Sequence, residues 1–120
     1  MRRMISAEMA RLANTVIWSW QGWTAAWATE KSLRQWSLIN LGSAALSFAL
    51  PMTAGERALI LALGLLVLAA ELMNTGLEEV VEYLSTAPDP RAKKAKDCGS
   101  AAVALTALAG GLAWVVVLIG

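Results

Sequence analysis

Residues 99–120 form an apolar run of 22 residues without a single charge, and no other feature constrains the fold as strongly. A helix of this length crosses the hydrocarbon core of a bilayer, which is about 30 Å thick. Two further apolar runs precede it, at 36–52 and 58–70, and the second is predicted to continue as a helix through Glu71 to residue 84. We therefore predict an all-α integral membrane protein with three transmembrane helices, in a single membrane domain covering residues 1–120.

The composition supports a lipid environment. Apolar residues make up 58% of the chain and charged residues 16%, whereas soluble domains carry about 25% charged residues. The net charge of +1 comes without a concentrated basic stripe, which argues against nucleic-acid binding. The chain has no histidine and one cysteine, Cys98, so an intrachain disulfide and a Cys/His metal site are both excluded.

The segment 5–34 is predicted to be an amphipathic helix. Trp20, Trp23 and Trp27 fall on one side of it together with aliphatic residues. Tryptophans at the edge of an apolar stripe are typical of helices that lie in the membrane interface. The alternative is a stripe that packs on the other helices of the bundle, and the two interpretations are compatible.

The basic residues predict the orientation of the chain. Of the ten lysines and arginines, five precede the first span and four lie in the polar loop 85–96, while only Arg57 lies between spans one and two. Basic loops remain on the cytoplasmic side. We expect the amino terminus and the 85–96 loop in the cytoplasm and the carboxyl terminus outside.

The second span carries an unusual set of polar residues. Glu71, Asn74, Glu78 and Glu82 fall in a sector of about 80° around a helix. A carboxylate within the apolar region costs roughly 2.5 to 3.5 kcal/mol, so such groups face a bundle interior or a wet cavity. Carboxylates one turn apart also repel each other, and a divalent cation would relieve that repulsion.

Two other polar sets are expected at the same cytoplasmic depth. Lys96 and Asp97 stand at the predicted start of span three, where a lysine beside a helix amino terminus predicts a phosphate contact and Asp97 could cap the helix or share a metal ion. Glu30, Arg34 and Gln35 precede span one. Carboxylates for Mg²⁺, a lysine for phosphates and a base near the lipid boundary together predict phosphoryl transfer from a nucleotide to a lipid hydroxyl.

Structural interpretations of these residues stay open. Glu78, Glu79 and Glu82 also fit the solvated end of a helix, and Asn74 fits a hydrogen bond between helices. Glu71 could be a purely structural buried carboxylate. The chain has no Walker-type phosphate loop and no kinase-type glycine loop, so a nucleotide site would differ from the familiar soluble ones.

Two sequence motifs resemble those of a known family. Residues 71–81 read ELMNTGLEEVV, which resembles the E-x-x-N-[ST]-x-x-E-x-V-V signature of the prokaryotic diacylglycerol kinases. Residues 95–103 read AKDCGSAAV, which is similar to that family's second signature, A-K-D-x-G-S-A-A-V. Further matches lie upstream around Glu30 and Arg34, and the resemblance runs through nearly the whole chain without a gap.

The resemblance implies a homotrimer of three-span subunits that phosphorylates diacylglycerol with ATP and Mg²⁺ at the bacterial inner membrane, with active sites between neighbouring subunits. Glu71 would be the general base. The other implied catalytic residues are Asn74, Lys96 and Asp97, and the implied metal ligands are Glu30 and Glu78. The implied nucleotide contacts are Arg11, Trp18, Glu30, Asn74, Glu78, Lys96 and Asp97. The implied lipid contacts are Arg11, Glu30, Arg34, Gln35, Glu71 and Ser100.

The chain departs from the family pattern at two places. Trp36 stands where better-known members carry glutamate, and Pro88-Asp89 replaces a Tyr-His pair that some members have near the nucleotide base. Nucleotide preference therefore does not follow from the resemblance. Two alternative functions remain: an undecaprenol kinase of the same fold, and a non-enzymatic membrane subunit that uses Glu71 for proton relay or assembly.

Overall fold

The computed structural model describes residues 1–84 and 86–120, and the regular secondary structure of this part of the chain is all α-helix. Its helices are α1 (Arg2–Thr29), α2 (Lys31–Ala49), α3 (Ala54–Leu84) and α4 (Pro90–Ile119). The chain divides into two compact units, residues 1–30 and residues 31–120. The all-helical prediction is confirmed.

The first unit is α1, an exposed helix that ends at Glu30. Glu30 adopts an extended backbone (φ −105°, ψ 103°), and its N–H closes the helix by donating to Ala26 O at 2.7 Å. The rings of Trp23 and Trp27 stack with centroids 5.8 Å apart. The predicted continuous helix over 5–34 is therefore wrong at its carboxyl end.

A new helix starts at Lys31 because the first turn of α2 is held by tertiary packing within the second unit. Leu33 is fully buried there, and Ser32 is hydrogen-bonded to α3. Helical periodicity reports only local preference, and contacts of this kind override it.

In the second unit, α3 packs on both α2 and α4. Its buried apolar side chains are few, among them Leu33, Ile60, Val67 and Val103. Many large apolar side chains on all three helices are exposed instead, including Leu38, Phe48, Leu65, Leu66, Met73, Leu105, Leu108 and Leu112. Such a surface suits lipid as the surrounding solvent.

Among the described residues, two helices are long and apolar enough to cross a membrane. The best 18-residue windows of α3 and α4 have mean hydropathies of 2.0 and 2.4, and only 17% and 11% of those windows are buried. The core helix of a soluble protein would be mostly buried, so these values favour membrane spans. The 19-residue α2 does not meet the same criterion, and the predicted span at 36–52 stays a prediction.

The connection between α2 and α3 is fixed by polar contacts. Thr53 and Glu56 form a capping box: the N–H of Thr53 donates to Glu56 Oε1 at 2.9 Å, and the N–H of Glu56 donates to Thr53 Oγ1 at 3.1 Å. Arg57 Nε donates to Ser47 O in the last turn of α2 at 2.9 Å. These bonds satisfy backbone groups that helix ends leave free.

The loop predicted at 85–96 is shorter in the structure, because α4 begins at Pro90. Asp89 caps the helix by accepting the N–H of Arg91 at 2.8 Å, and a proline at the first helical position has no N–H to lose. Hydrogen bonds from the Arg91 side chain and backbone hold the pKa of Asp89 below its ordinary value. Lys96 and Asp97 consequently lie in the second turn of α4, so the expectations of a lysine at the helix terminus and a capping Asp97 are wrong.

One polar contact joins the outer helices of this unit. Trp114 Nε1 on α4 donates to Ser43 Oγ on α2 at 2.8 Å. A partly buried indole N–H usually finds a hydrogen-bond acceptor. The bond therefore links α2 and α4 directly.

Candidate active site

The polar sector of α3 faces the interior of the second unit, as its periodicity predicts. Glu71 is 4% exposed, and Asn74 and Glu78 are half-buried. Met73 and Val80, on other sides of the helix, are 69% and 56% exposed. Glu71, Asn74 and Glu78 point toward the interior, whereas Glu82 at the end of the sector is exposed. An inward polar face is the arrangement expected of a polar site within a membrane bundle.

Glu71 receives a hydrogen bond from α2. Ser32 Oγ in the first turn of that helix donates to Glu71 Oε1, which gives the buried carboxylate a polar partner. Arg34 is half-buried and Gln35 exposed in the same part of α2. Sequence reasoning missed Ser32 because a pair 39 residues apart leaves no periodic signal.

Asn74 lies at a close contact between α3 and α4. Its Nδ2 donates to Glu78 Oε1 at 3.3 Å. Its Oδ1 lies against Gly99 of α4, where an added Cβ would overlap it and would lie 3.3 Å from Leu77 Cδ1. The helices can meet here because residue 99 has no side chain. Asn74 Oδ1 is buried and has no hydrogen-bond donor among the described residues.

The charged residues of α4 lie one turn before this contact. Lys96 Nζ is 3.5 Å from Glu82 Oε1 of α3, and Lys93 Nζ is 2.6 Å from Asp97 Oδ2. These side chains are between 42% and 78% exposed, and such surface pairs contribute little to stability. Ser100 is exposed in the next turn. Lys96 can exchange its carboxylate partner for a bound phosphate at small energetic cost.

The remaining predicted residues belong to the first compact unit. Arg11 forms an exposed ion pair with Glu8 at 2.7 Å. Trp18 is 61% exposed, and Glu30 is half-buried at the end of α1. Since Glu30 and Glu78 belong to different units, their joint binding of a metal ion stays a prediction.

The described residues contain no group of three or more acidic, cysteine or histidine side chains arranged to hold a metal ion. Mg²⁺ does not require one, because it is usually bound by one or two carboxylates together with substrate phosphates and water. Glu78 supplies such a carboxylate, and the neighbouring Asn74 Oδ1 is a buried oxygen without a donor. The residues of α3 therefore fit a magnesium-phosphate complex.

Comparison with known proteins identifies the family of the chain. A family model described as prokaryotic diacylglycerol kinase matches residues 17–118. A diacylglycerol kinase of Pseudomonas aeruginosa is 39% identical over 93% of this chain and 91% of its own length. The diacylglycerol kinase of Escherichia coli K12 is 30% identical over 90% of this chain and 88% of its own length. That of Haemophilus influenzae is 32% identical over 88% of this chain and 90% of its own length. The matched region includes α3 and almost all of α4, and the chain belongs to the prokaryotic diacylglycerol kinase family.

Proposed function

We propose that this chain transfers the γ-phosphate of ATP to the free hydroxyl of diacylglycerol, giving phosphatidate and ADP. The observation that carries the proposal is Glu71, a carboxylate that is 4% exposed and directly follows the apolar run 58–70 of α3. Burial of an ionisable group at membrane depth is expensive and usually serves a function. Membership of the family and the names of the relatives support the choice of acceptor.

In the proposed mechanism, Glu71 is the general base. The lipid hydroxyl oxygen attacks the γ-phosphorus while Glu71 accepts the hydroxyl proton. The bond between the γ-phosphorus and the bridging oxygen breaks, and its electron pair leaves with ADP. The chain's main contribution is to position the hydroxyl in line with the phosphate and to keep water away.

On the nucleotide side, the carboxylates of Glu78 and Glu30 would hold Mg²⁺ together with the phosphates of ATP. Bound Mg²⁺ neutralises charge that develops on the phosphate oxygens during transfer. We assign the nucleotide contacts to Asn74, Lys96, Asp97, Arg11 and Trp18. The lipid contacts are assigned to Arg11, Glu30, Arg34, Gln35 and Ser100.

We further propose that the working enzyme is a homotrimer of three-span subunits in the bacterial inner membrane, with α1 in the cytoplasmic interface. Arg57 is the one basic residue between the first two spans, which supports a cytoplasmic amino terminus and an external carboxyl terminus. The small core and the many exposed apolar side chains of one chain support burial by neighbouring copies as well as by lipid. Sedimentation in detergent would measure the assembly.

The acceptor is tested by offering diacylglycerol and undecaprenol separately in mixed micelles with labelled Mg·ATP. We expect diacylglycerol to be phosphorylated with the higher kcat/KM. A preference for undecaprenol would support phosphoryl transfer to a lipid hydroxyl but contradict diacylglycerol as the acceptor. No transfer to either lipid by assembled protein would favour the non-enzymatic subunit.

A further inference from the structure

We infer that Ser32 is a positioning residue for the proton-accepting carboxylate of Glu71, an inference that rests on the proposed function. Ser32 lies outside the two sequence motifs of the site, and nothing in its local sequence marks it as functional. It is singled out because its hydroxyl donates to Glu71 Oε1 across the contact between α2 and α3.

The hydroxyl of Ser32 is held firmly in place. Ser32 is the second residue of α2, and the next residue, Leu33, is fully buried. The first turn of a helix also presents free N–H groups and the positive end of the helix dipole, which favour a neighbouring carboxylate. Glu71 therefore meets a hydroxyl donor and a favourable helix end at the same place.

This contact does more than satisfy a buried group. A glutamate side chain has three rotatable bonds, so its carboxylate can rotate unless a bond fixes it. The hydrogen bond engages Oε1, and the carboxylate has a second oxygen able to accept a proton. We assign that second oxygen, Oε2, as the acceptor of the lipid hydroxyl proton, with Ser32 setting its direction. A base held within about 0.5 Å of its working position is what proton transfer requires.

The test compares Ser32→Ala, Ser32→Thr and a control, Ser37→Ala, in the full-length protein reconstituted in mixed micelles. Ser37 is a suitable control because it is half-buried on the same helix, but its hydroxyl donates to Leu33 O of its own helix at 2.8 Å. We expect Ser32→Ala to lower kcat with diacylglycerol about tenfold or more, the effect typical of losing a hydrogen bond to a charged group. The KM for ATP should stay unchanged, Ser32→Thr should recover most of kcat, and Ser37→Ala should match the wild type.

Three results would overturn the inference. The first is a wild-type kcat in assembled Ser32→Ala. The second is a loss of kcat in Ser32→Ala that Ser32→Thr does not restore. The third is an equal loss of kcat in Ser37→Ala. Either of these two results would indicate a general packing effect. A Glu71→Gln variant measured in parallel distinguishes a failure of the proposed function from a failure of the inference about Ser32. If Glu71→Gln keeps full activity, the proposed role of Glu71 is contradicted. If it is inactive while Ser32→Ala is fully active, only the inference about Ser32 falls.

Discussion

The contact between Asn74 and Gly99 offers a sharp test of how the site is built. Replacing Gly99 by alanine places a Cβ where Asn74 Oδ1 now lies, 3.2 Å from Asn74 Cγ and 3.3 Å from Leu77 Cδ1. The nearest atom is the end of a side chain, so Asn74 can turn away while the backbone stays in place. Turning it breaks the 3.3 Å hydrogen bond from Asn74 Nδ2 to Glu78 Oε1.

The expected change in the free energy of unfolding of Gly99→Ala has three contributions. Overpacking of a tight contact costs about 1 to 3 kcal/mol, and losing the bond to Glu78 costs about 1 kcal/mol for partly exposed groups. Alanine returns up to about 1 kcal/mol of helix propensity relative to glycine. Because turning Asn74 relieves most of the overpacking and the other two terms nearly cancel, we expect a small net loss of stability of about 0 to 1 kcal/mol. We expect a larger effect on catalysis, at least tenfold in kcat, because two proposed site residues lose their arrangement.

Stability would be measured by unfolding in detergent followed by tryptophan fluorescence, and activity by phosphate transfer to diacylglycerol. Gly110→Ala is the matched control, since a Cβ at Gly110 of the same helix meets no atom within 4 Å. The control should be at least as stable as the wild type and equally active. Full activity in Gly99→Ala, or an equal loss in Gly110→Ala, would refute the proposed contact between α3 and α4.

Two further predictions concern contacts outside the site. Trp114→Phe removes the 2.8 Å bond from Trp114 Nε1 to Ser43 Oγ and should lower stability by about 0.6 to 1 kcal/mol. Adding Ser43→Ala to this variant should cost little more, and fully additive losses in unfolding measurements would contradict the bond. For Asp89, hydrogen bonds from Arg91 lower the pKa below the ordinary value of 3.8. The charged cap therefore stabilises the start of α4 above that value, and this contribution is lost as the pH falls through the lowered pKa. Amide-exchange protection of residues 91–93 should decrease on acidification in the wild type and change less in Asp89→Asn; identical profiles would argue against the cap.

The orientation of α3 could be predicted from sequence because a single helix with a known period determines it. Glu71, Asn74 and Glu78 share a sector whatever the helix packs against, and the energy of burying a carboxylate indicates that the sector faces inward. The structure adds the graded burial, from 4% exposure at Glu71 to an exposed Glu82.

The start of α4 lies inside the loop predicted at 85–96, although local signals for it are present. Proline is favoured at the first helical position, which Pro90 occupies, and Asp89 is a good cap. The error moved Lys96 and Asp97 from the second turn of α4 to its terminus. These local signals were present in the sequence.

Tertiary partners could not be predicted in this way. The bond from Ser32 to Glu71 joins residues 39 positions apart, and neither residue type nor spacing marks them as a pair. The helix break at Glu30 has the same origin. No glycine or proline lies near it, and the new helix is held by the burial of Leu33 and the contact of Ser32.

The proposed function and the role of Glu71 are tested most directly by measuring phosphatidate formation by the purified protein in mixed micelles of diacylglycerol with Mg·ATP. The assay compares the wild type with Glu71→Gln and Glu79→Gln. Glu79 is the matched control because it is an exposed glutamate on the same helix. We predict that the wild type and Glu79→Gln form phosphatidate at similar rates, while assembled Glu71→Gln loses most of its activity. Equal activity in all three proteins would contradict the role of Glu71, and no phosphatidate from the assembled wild type would contradict the proposed function itself.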